Sequence, residues 1–473
     1  MDERYNQIIS KSGFESKQYQ YDGIKWCIRN ELDNIHNIRG GLIADEMGLG
    51  KTIQIIALMY INFLPRTLII LPPILVQQWY DEIYKCTGHK STVYYGRKKH
   101  LISTNTLQTS PIIITTYNTI LPNKNRISPL TKYKWNRVIF DEAHHLRNHK
   151  SKSFIMAQQL KSSIKWFVTG TPIQNKRNDL YNLLSLIGLQ SKFYKDTNNN
   201  YIINKHFILR RTKASVGILI PPIQKIDHIV QWENIHEQRL SEEIHSLVST
   251  SYVSENRGRL LSQVISKQGH LLSLLRARQT CILPLLIKPT IQKAILNDAI
   301  VDSKYNSNYT EAINHSSKIN AVINLILQRK DNMNGKIVFC HYIGEIDIIA
   351  QRLLDGGITD IIKYDGRMTN KHMCNFKTSV IIMQIQTGSE GINLQHHFNE
   401  IYFVSPHWNP CVEDQAIARC HRIGQVKTVY VFKFEMGGFL KNNYLDKQPI
   451  SMETYVNHIQ QMKRDISNSI LTQ

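Results

Sequence analysis

The chain has 473 residues, 42% of them hydrophobic, so it is too long for one ordinary core and suits two or three domains with a sizeable interior. Lys plus Arg number 58 against 37 Asp plus Glu, and the resulting charge of +21 favours a polyanionic partner such as nucleic acid. The seven cysteines are scattered and form no CxxC pair, which argues against zinc fingers and RING modules and fits a reducing compartment.

The first segment, Met1–Lys17, is polar and lacks an apolar signal core. No later apolar run approaches the roughly 20 residues that a bilayer requires, so the chain reads as soluble and intracellular, with no membrane partner. Short runs rich in Ile and Val then follow in two clusters. The first holds Thr67–Leu71, Pro111–Thr115, Arg137–Phe140 and Lys165–Val168. The second holds Lys336–Phe339, Val380–Ile385, Glu400–Val404 and Val429–Phe432. Runs this short and this apolar predict strands covered on both faces, as in parallel α/β sheets. Two α/β lobes are therefore expected, over residues 1–205 and 306–473. Between them, 206–305 is expected to be a helical insertion and linker. Its apolar residues recur at helical spacing, as in Leu260, Leu261, Val264 and Ile265 and again in Leu271–Leu275. Asp196–Asn200 is a polar, asparagine-rich loop, and no internal repeat is present.

The first chemical signal is Asp45-Glu46-Met47-Gly48-Leu49-Gly50-Lys51-Thr52, which ends as a P-loop does. Gly48 and Gly50 allow backbone N–H groups to turn inward around phosphates. Lys51 is placed to reach the β- and γ-phosphates of ATP, and the Thr52 hydroxyl to bind Mg²⁺. The helix expected from Thr52 aims its positive end at the same group. One position departs from GxxxxGKT: Asp45 stands where the first glycine belongs. The second signal, Asp141-Glu142-Ala143-His144, follows the expected strand Val138–Phe140 directly. Asp141 suits Mg²⁺ coordination, direct or through water, and Glu142 suits the base that orients an attacking water. Phosphoryl transfer needs this set because its catalysis is mainly positioning and charge neutralisation.

With these residues in place, the chain resembles the Swi/Snf family of superfamily-two ATPases, reduced to the motor core, over about Gln18–Tyr430. Tyr19-Gln20 with Gly23 and Trp26 resembles the adenine-reading Q motif. Leu68–Pro72 with Gln78-Trp79, and Ile114–Tyr117, resemble motifs Ia and Ib. Phe167–Asn175 matches motif III, and Leu209-Arg210-Arg211-Thr212-Lys213 and Leu274–Leu286 are further hallmarks. Val338–Tyr342 resembles motif IV. Gln386–Leu394 resembles motif V, with Ser389 replacing a glycine. Asp414–Gln425 has the Swi/Snf form of motif VI.

The resemblance implies two RecA-like parallel-sheet lobes with a helical insertion, and ATP with Mg²⁺ as cofactors. It implies nucleotide contacts from Gln20, Gly48, Gly50, Lys51, Thr52 and Gln415, and metal contacts from Thr52 and Asp141. Arg419 and Arg422 are three apart, which on a helix puts them on one face, and they are expected to act as arginine fingers. The same carry-over makes Gln78, Thr116, His341 and Thr387 candidate nucleic-acid contacts, each of which could equally cap local structure. The run Arg97-Lys98-Lys99-His100 lies outside the motifs and reads as a solvated turn.

The function implied is a DNA-stimulated ATPase that translocates on double-stranded DNA and remodels or displaces bound proteins. A strand-separating helicase or an RNA-directed ATPase acting in transcription is the alternative. The implied compartment is the nucleus or a viral replication compartment, and oligomeric state is not specified.

Overall fold

The computed structural model describes residues 1–122, 128–246, 270–296, 303–368, 378–388, 392–439 and 451–471. The chain divides into two compact units, Met1–Leu219 with Lys463–Gln473, and Ile220–Met462.

The first unit is built on a seven-stranded sheet in the order β3-β4-β2-β5-β6-β1-β7. Its strands are β1 (Gly40–Ile43), β2 (Thr67–Leu71), β3 (Thr92–Tyr94), β4 (Ile112–Thr116), β5 (Trp135–Asp141), β6 (Ser162–Val168) and β7 (Ile208–Leu209), all paired in parallel. Alternation along each strand feeds two cores. Leu68, Ile70, Val138, Phe140 and Phe167 face one, and Ile69, Leu71, Ile139, Trp166 and Val168 face the other. Phe140 and Phe167 stack with ring centroids 4.9 Å apart. A sheet covered on both faces leaves its strand ends as the place where loops can gather polar chemistry.

The second unit has a six-stranded parallel sheet in the order β10-β11-β9-β12-β13-β8. These are β8 (Ile223–Val230), β9 (Gly335–Cys340), β10 (Ile361–Tyr364), β11 (Val380–Gln384), β12 (Phe398–Phe403) and β13 (Val429–Met436). It too is double-sided, with Val338, Ile382 and Tyr402 in one core and Ile337, Ile381 and Ile401 in the other.

All eight apolar runs named above fall on strands, to within one residue at their ends. The segment 206–305 is not a separate body among the described residues. β7 joins the first sheet beside β1, and β8 joins the second beside β13. The helices Ile235–His245 and His270–Ile282 bury Leu240, Ile244, Ala277, Cys281 and Ile282 in the same core as Val338. The segment therefore divides between the two units because its apolar faces are covered by their sheets. Leu260, Leu261, Val264 and Ile265 lie outside the described residues.

Two fully buried ion pairs fix elements to the sheets. In the first unit, Arg137 on β5 donates to Glu31 at 2.6 Å through Nε, and Glu31 also accepts from Trp166 Nε1 at 2.8 Å and Asn62 Nδ2 at 2.6 Å. In the second, Lys318 pairs with Glu453, which also accepts the Met436 N–H at 2.7 Å and so anchors the start of the helix Met452–Leu471 to β13. Burial pushes the Glu453 carboxyl up, so its charged form depends on the lysine. Lys318→Met is expected to destabilise the second unit by about 3–5 kcal/mol in urea unfolding, because it strands a buried carboxylate. Lys318→Met combined with Glu453→Gln is expected to recover most of that loss. A double variant no more stable than the single one would contradict this.

Candidate active site

β1 ends at Ile43, and the chain then loops through Asp45–Gly50 into the eleven-residue helix Lys51–Ile61. Gly48 (φ 92°) and Gly50 (φ 76°) both adopt left-handed backbone, which is why glycine is required there. Gly50 precedes the helix and supplies no side-chain acceptor to its first turn. Lys51 Nζ turns back onto the loop, donating to the carbonyls of Asp45 (2.9 Å) and Glu46 (3.4 Å). Thr52 sits half-buried in the first turn. Gln20 closes one side and donates from Nε2 to the Leu49 carbonyl at 3.2 Å.

Asp45, the position that departs from the P-loop pattern, is fully buried behind the loop. Its Oδ1 accepts from the Arg211 backbone N–H and from Arg211 Nε, both at 3.0 Å, and its Oδ2 accepts from Gln54 Nε2 at 3.2 Å and from a terminal guanidinium nitrogen of Arg211.

Strand order sets the rest. β6 lies between β1 and β5, so the loop after it stands between the P-loop and the DEAH segment. A Cβ on Gly170 in that loop would come within 3.3 Å of Lys51 Nζ. Asp141 ends β5 and is held from three directions. Trp79 Nε1 donates to Oδ2 at 2.7 Å, the Glu142 N–H to Oδ1 at 2.9 Å, and the Tyr117 hydroxyl to its carbonyl at 2.7 Å. Glu142 has φ 49°, an uncommon conformation for a residue with a side chain, and such strain is found where function demands a particular direction. His144 Nδ1 lies 3.1 Å from Glu142 Oε2 and 3.4 Å from Thr169 Oγ1, which places the imidazole beside the carboxylate. Burial, then the neighbouring Glu142, pushes the Asp141 carboxyl up to about 7, and Lys51 is close enough to oppose this.

ATP and Mg²⁺ fit these residues. Two left-handed glycines and an uncapped helix start offer N–H groups to phosphates, and a buried carboxylate whose charge burial opposes is suited to a cation. Thr52 and Asp141 are the groups that would hold the Mg²⁺.

In the second unit, the helix Pro410–Ile417 carries Gln415, which is buried. Arg419 and Arg422 do not share a helical face. The helix stops at Ile417, and both arginines lie in the turn beyond it. The Arg419 carbonyl accepts the Leu394 N–H at 3.1 Å, and Gln425 Nε2 donates to the Cys420 carbonyl at 3.3 Å, so helical partners are replaced and the chain turns. The Arg422 guanidinium donates to the Asn393 carboxamide.

The four candidate nucleic-acid residues differ. Gln78 is half-buried on the helix Val76–Thr87 and donates to Glu82 at 2.8 Å. Thr116 is buried at the end of β4 and shares a 2.8 Å hydroxyl contact with Thr119. His341 is committed through both ring nitrogens, Nδ1 to Ser405 at 3.0 Å and Nε2 to Arg278 at 2.6 Å. Burial, then the Arg278 guanidinium, holds that imidazole well below its ordinary range, so it is a neutral internal link. Thr387 lies in the short helix Ile385–Gly388, and Ser389 is outside the described residues. Sequence reading missed Gln54, and it placed Tyr117 and Arg211 in motifs without their partners Asp141 and Asp45. A glutamine one turn into the apolar P-loop helix was the available signal.

A family model for the SNF2-related domain matches residues 19–285, and one for the helicase conserved C-terminal domain matches residues 317–424. The ATP-dependent DNA helicase DDM1 of Arabidopsis thaliana is 27% identical over 495 residues, covering 92% of this chain and 61% of that protein. A probable global transactivator of Orgyia pseudotsugata multicapsid polyhedrosis virus is 28% identical over 444 residues, covering 88% of this chain and 85% of that protein. Among solved structures, the Sulfolobus solfataricus SWI2/SNF2 ATPase core in complex with dsDNA covers 97% of this chain and 93% of its own, at 23% identity and a TM-score of 0.40. The SNF2-related match alone spans more than half of the chain, and it takes in both the P-loop and the DEAH segment. The chain belongs to the SNF2-related family.

Proposed function

We propose that this chain is a DNA-stimulated ATPase that translocates on double-stranded DNA and displaces or remodels proteins bound to it. The observation that carries the reading is the gathering of Lys51, Asp141, Glu142 and the Gly170 loop at the ends of three adjacent strands, β1, β6 and β5. The loop N–H groups and Lys51 hold the phosphates. Thr52 and Asp141 would hold Mg²⁺, which would supply charge neutralisation at the phosphates. Glu142, with His144 beside it, orients the attacking water and accepts its proton. Gln20 reads the base, Gln415 is a further nucleotide contact, and Arg419 and Arg422 stabilise the charge that develops on the transferred group.

The charge of +21 supports a grip on the phosphodiester backbone, with Gln78 and Thr387 as contacts. His341 is left out because both its nitrogens are already taken, and Thr116 because it is buried with its hydroxyl against Thr119. Among the described residues, no helix is long and apolar enough to cross a membrane, and the proposed setting is the nucleus or a viral replication compartment.

The expected result is ATP hydrolysis stimulated more by duplex DNA than by single-stranded DNA or RNA. Preference for RNA would replace this reading with an RNA-directed ATPase, and preference for single strands with a strand-separating helicase. Duplex affinity is also expected to fall steeply as salt rises, because backbone neutralisation releases counterions. A flat salt titration would remove the phosphate grip.

A further inference from the structure

We propose that Arg211 is a positioning residue for the nucleotide site, setting the shape of the P-loop and tying it to the chain segment that leads into the second unit. The inference rests on the nucleotide reading above.

Three elements far apart in sequence meet on this one guanidinium. It grips both oxygens of Asp45, donates to Gln54 Oε1 at 2.8 Å on the P-loop helix, and donates to the Tyr19 carbonyl beside Gln20. Asp45 is fully buried, so its charge must be paired, and a planar fork meets two carboxylate oxygens where a single ammonium cannot. The next loop residue is held by the same segment. Glu46 donates its N–H to the Arg211 carbonyl at 2.8 Å, and its carboxylate accepts the Lys213 N–H at 2.8 Å and lies 3.2 Å from Lys213 Nζ. The entry to the P-loop thus packs along residues 211–213, ten residues before β8 begins the second unit's sheet.

This arrangement explains two features of the sequence. Asp45 stands in place of the usual glycine because its buried carboxylate is the anchor for Arg211. A side chain at Gly23 would push on the network itself: a Cβ there would lie 2.2 Å from Gln54 Oε1 and 2.7 Å from an Arg211 terminal nitrogen, so these ends would have to shift. Gly23 sits inside the helix Gln18–Leu32, where alanine is otherwise favoured by about 1 kcal/mol. Gly23→Ala therefore disturbs the network from outside the loop while suiting its own helix.

The test uses the full chain with Arg211→Lys and Gly23→Ala, measuring ATP KM and kcat, affinity for a fluorescent ADP analogue, and thermal melting. Both variants are expected to weaken KM and ADP affinity by roughly 10- to 100-fold, as loss of a charged hydrogen-bonded anchor implies. Turnover at saturation is expected to change much less, the pattern of lost binding geometry rather than lost chemistry. Unaltered KM and ADP affinity in folded variants, whatever the melting temperature, would overturn the inference while leaving the nucleotide reading intact. A wild-type chain that does not bind the ADP analogue would overturn both.

Discussion

Replacing Arg422 or Arg419 by alanine is expected to lower kcat by roughly 10³- to 10⁵-fold, the range over which an arginine finger acts. ATP and duplex binding should be largely retained, because the phosphate cradle is built from residues of the first unit alone. The turn that carries both arginines has anchors besides their side chains. Gln425 is buried and donates to the carbonyls of Cys420 (3.3 Å) and Phe398 (3.1 Å), and the Arg419 backbone carbonyl, not its guanidinium, meets Leu394. Truncation should therefore remove chemistry and leave the loop. Lysine variants sharpen the test, since lysine keeps the charge but loses the planar fork and should restore only part of the rate. Single-turnover hydrolysis at saturating ATP is the measurement. Near-normal rates in both alanine variants would assign the turn a structural role.

Glu142→Gln is the second large effect, with a loss of roughly 10²- to 10⁴-fold in turnover and little change in ATP affinity. The substitution keeps shape and removes the ability to accept a proton. Asp141, which holds its place through Trp79 and the residue 142 backbone N–H, keeps both contacts. The variant should accumulate in the ATP-bound state on DNA. Full turnover would show that Glu142 is not the base, and lost ATP binding would show that it shapes the pocket instead.

Much of the site was legible because its parts are contiguous in sequence and follow apolar strands. Gly48–Thr52 and Asp141–His144 each carry their chemistry within a few residues, behind β1 and β5. The strands were legible where both faces are buried, as in β2 and β4. β8 was not, because it is an edge strand whose Gln224, Lys225 and Asp227 are exposed, and its period-2 signal is diluted by charge. β1 was missed for another reason: four residues, two of them glycine, carry little periodicity although all four are buried.

Long-range polar contacts were the least legible. Nothing local tells that Asp45 belongs to Arg211, which lies 166 residues on, or that Trp79 donates to Asp141 across 62. The arginine spacing misled because three residues apart means one face only while the helix continues, and here it ends at Ile417. His341 misled in the opposite sense. A histidine at a strand end suggests an outward contact, yet Ser405 and Arg278 occupy both nitrogens.

The measurement that bears most directly on the proposed activity is displacement of a third strand from a DNA triplex by the purified chain with ATP. Release of that strand from an intact duplex, abolished by Glu142→Gln, is the predicted result. Hydrolysis of ATP with no release, or release only when the duplex strands themselves separate, would contradict translocation on double-stranded DNA.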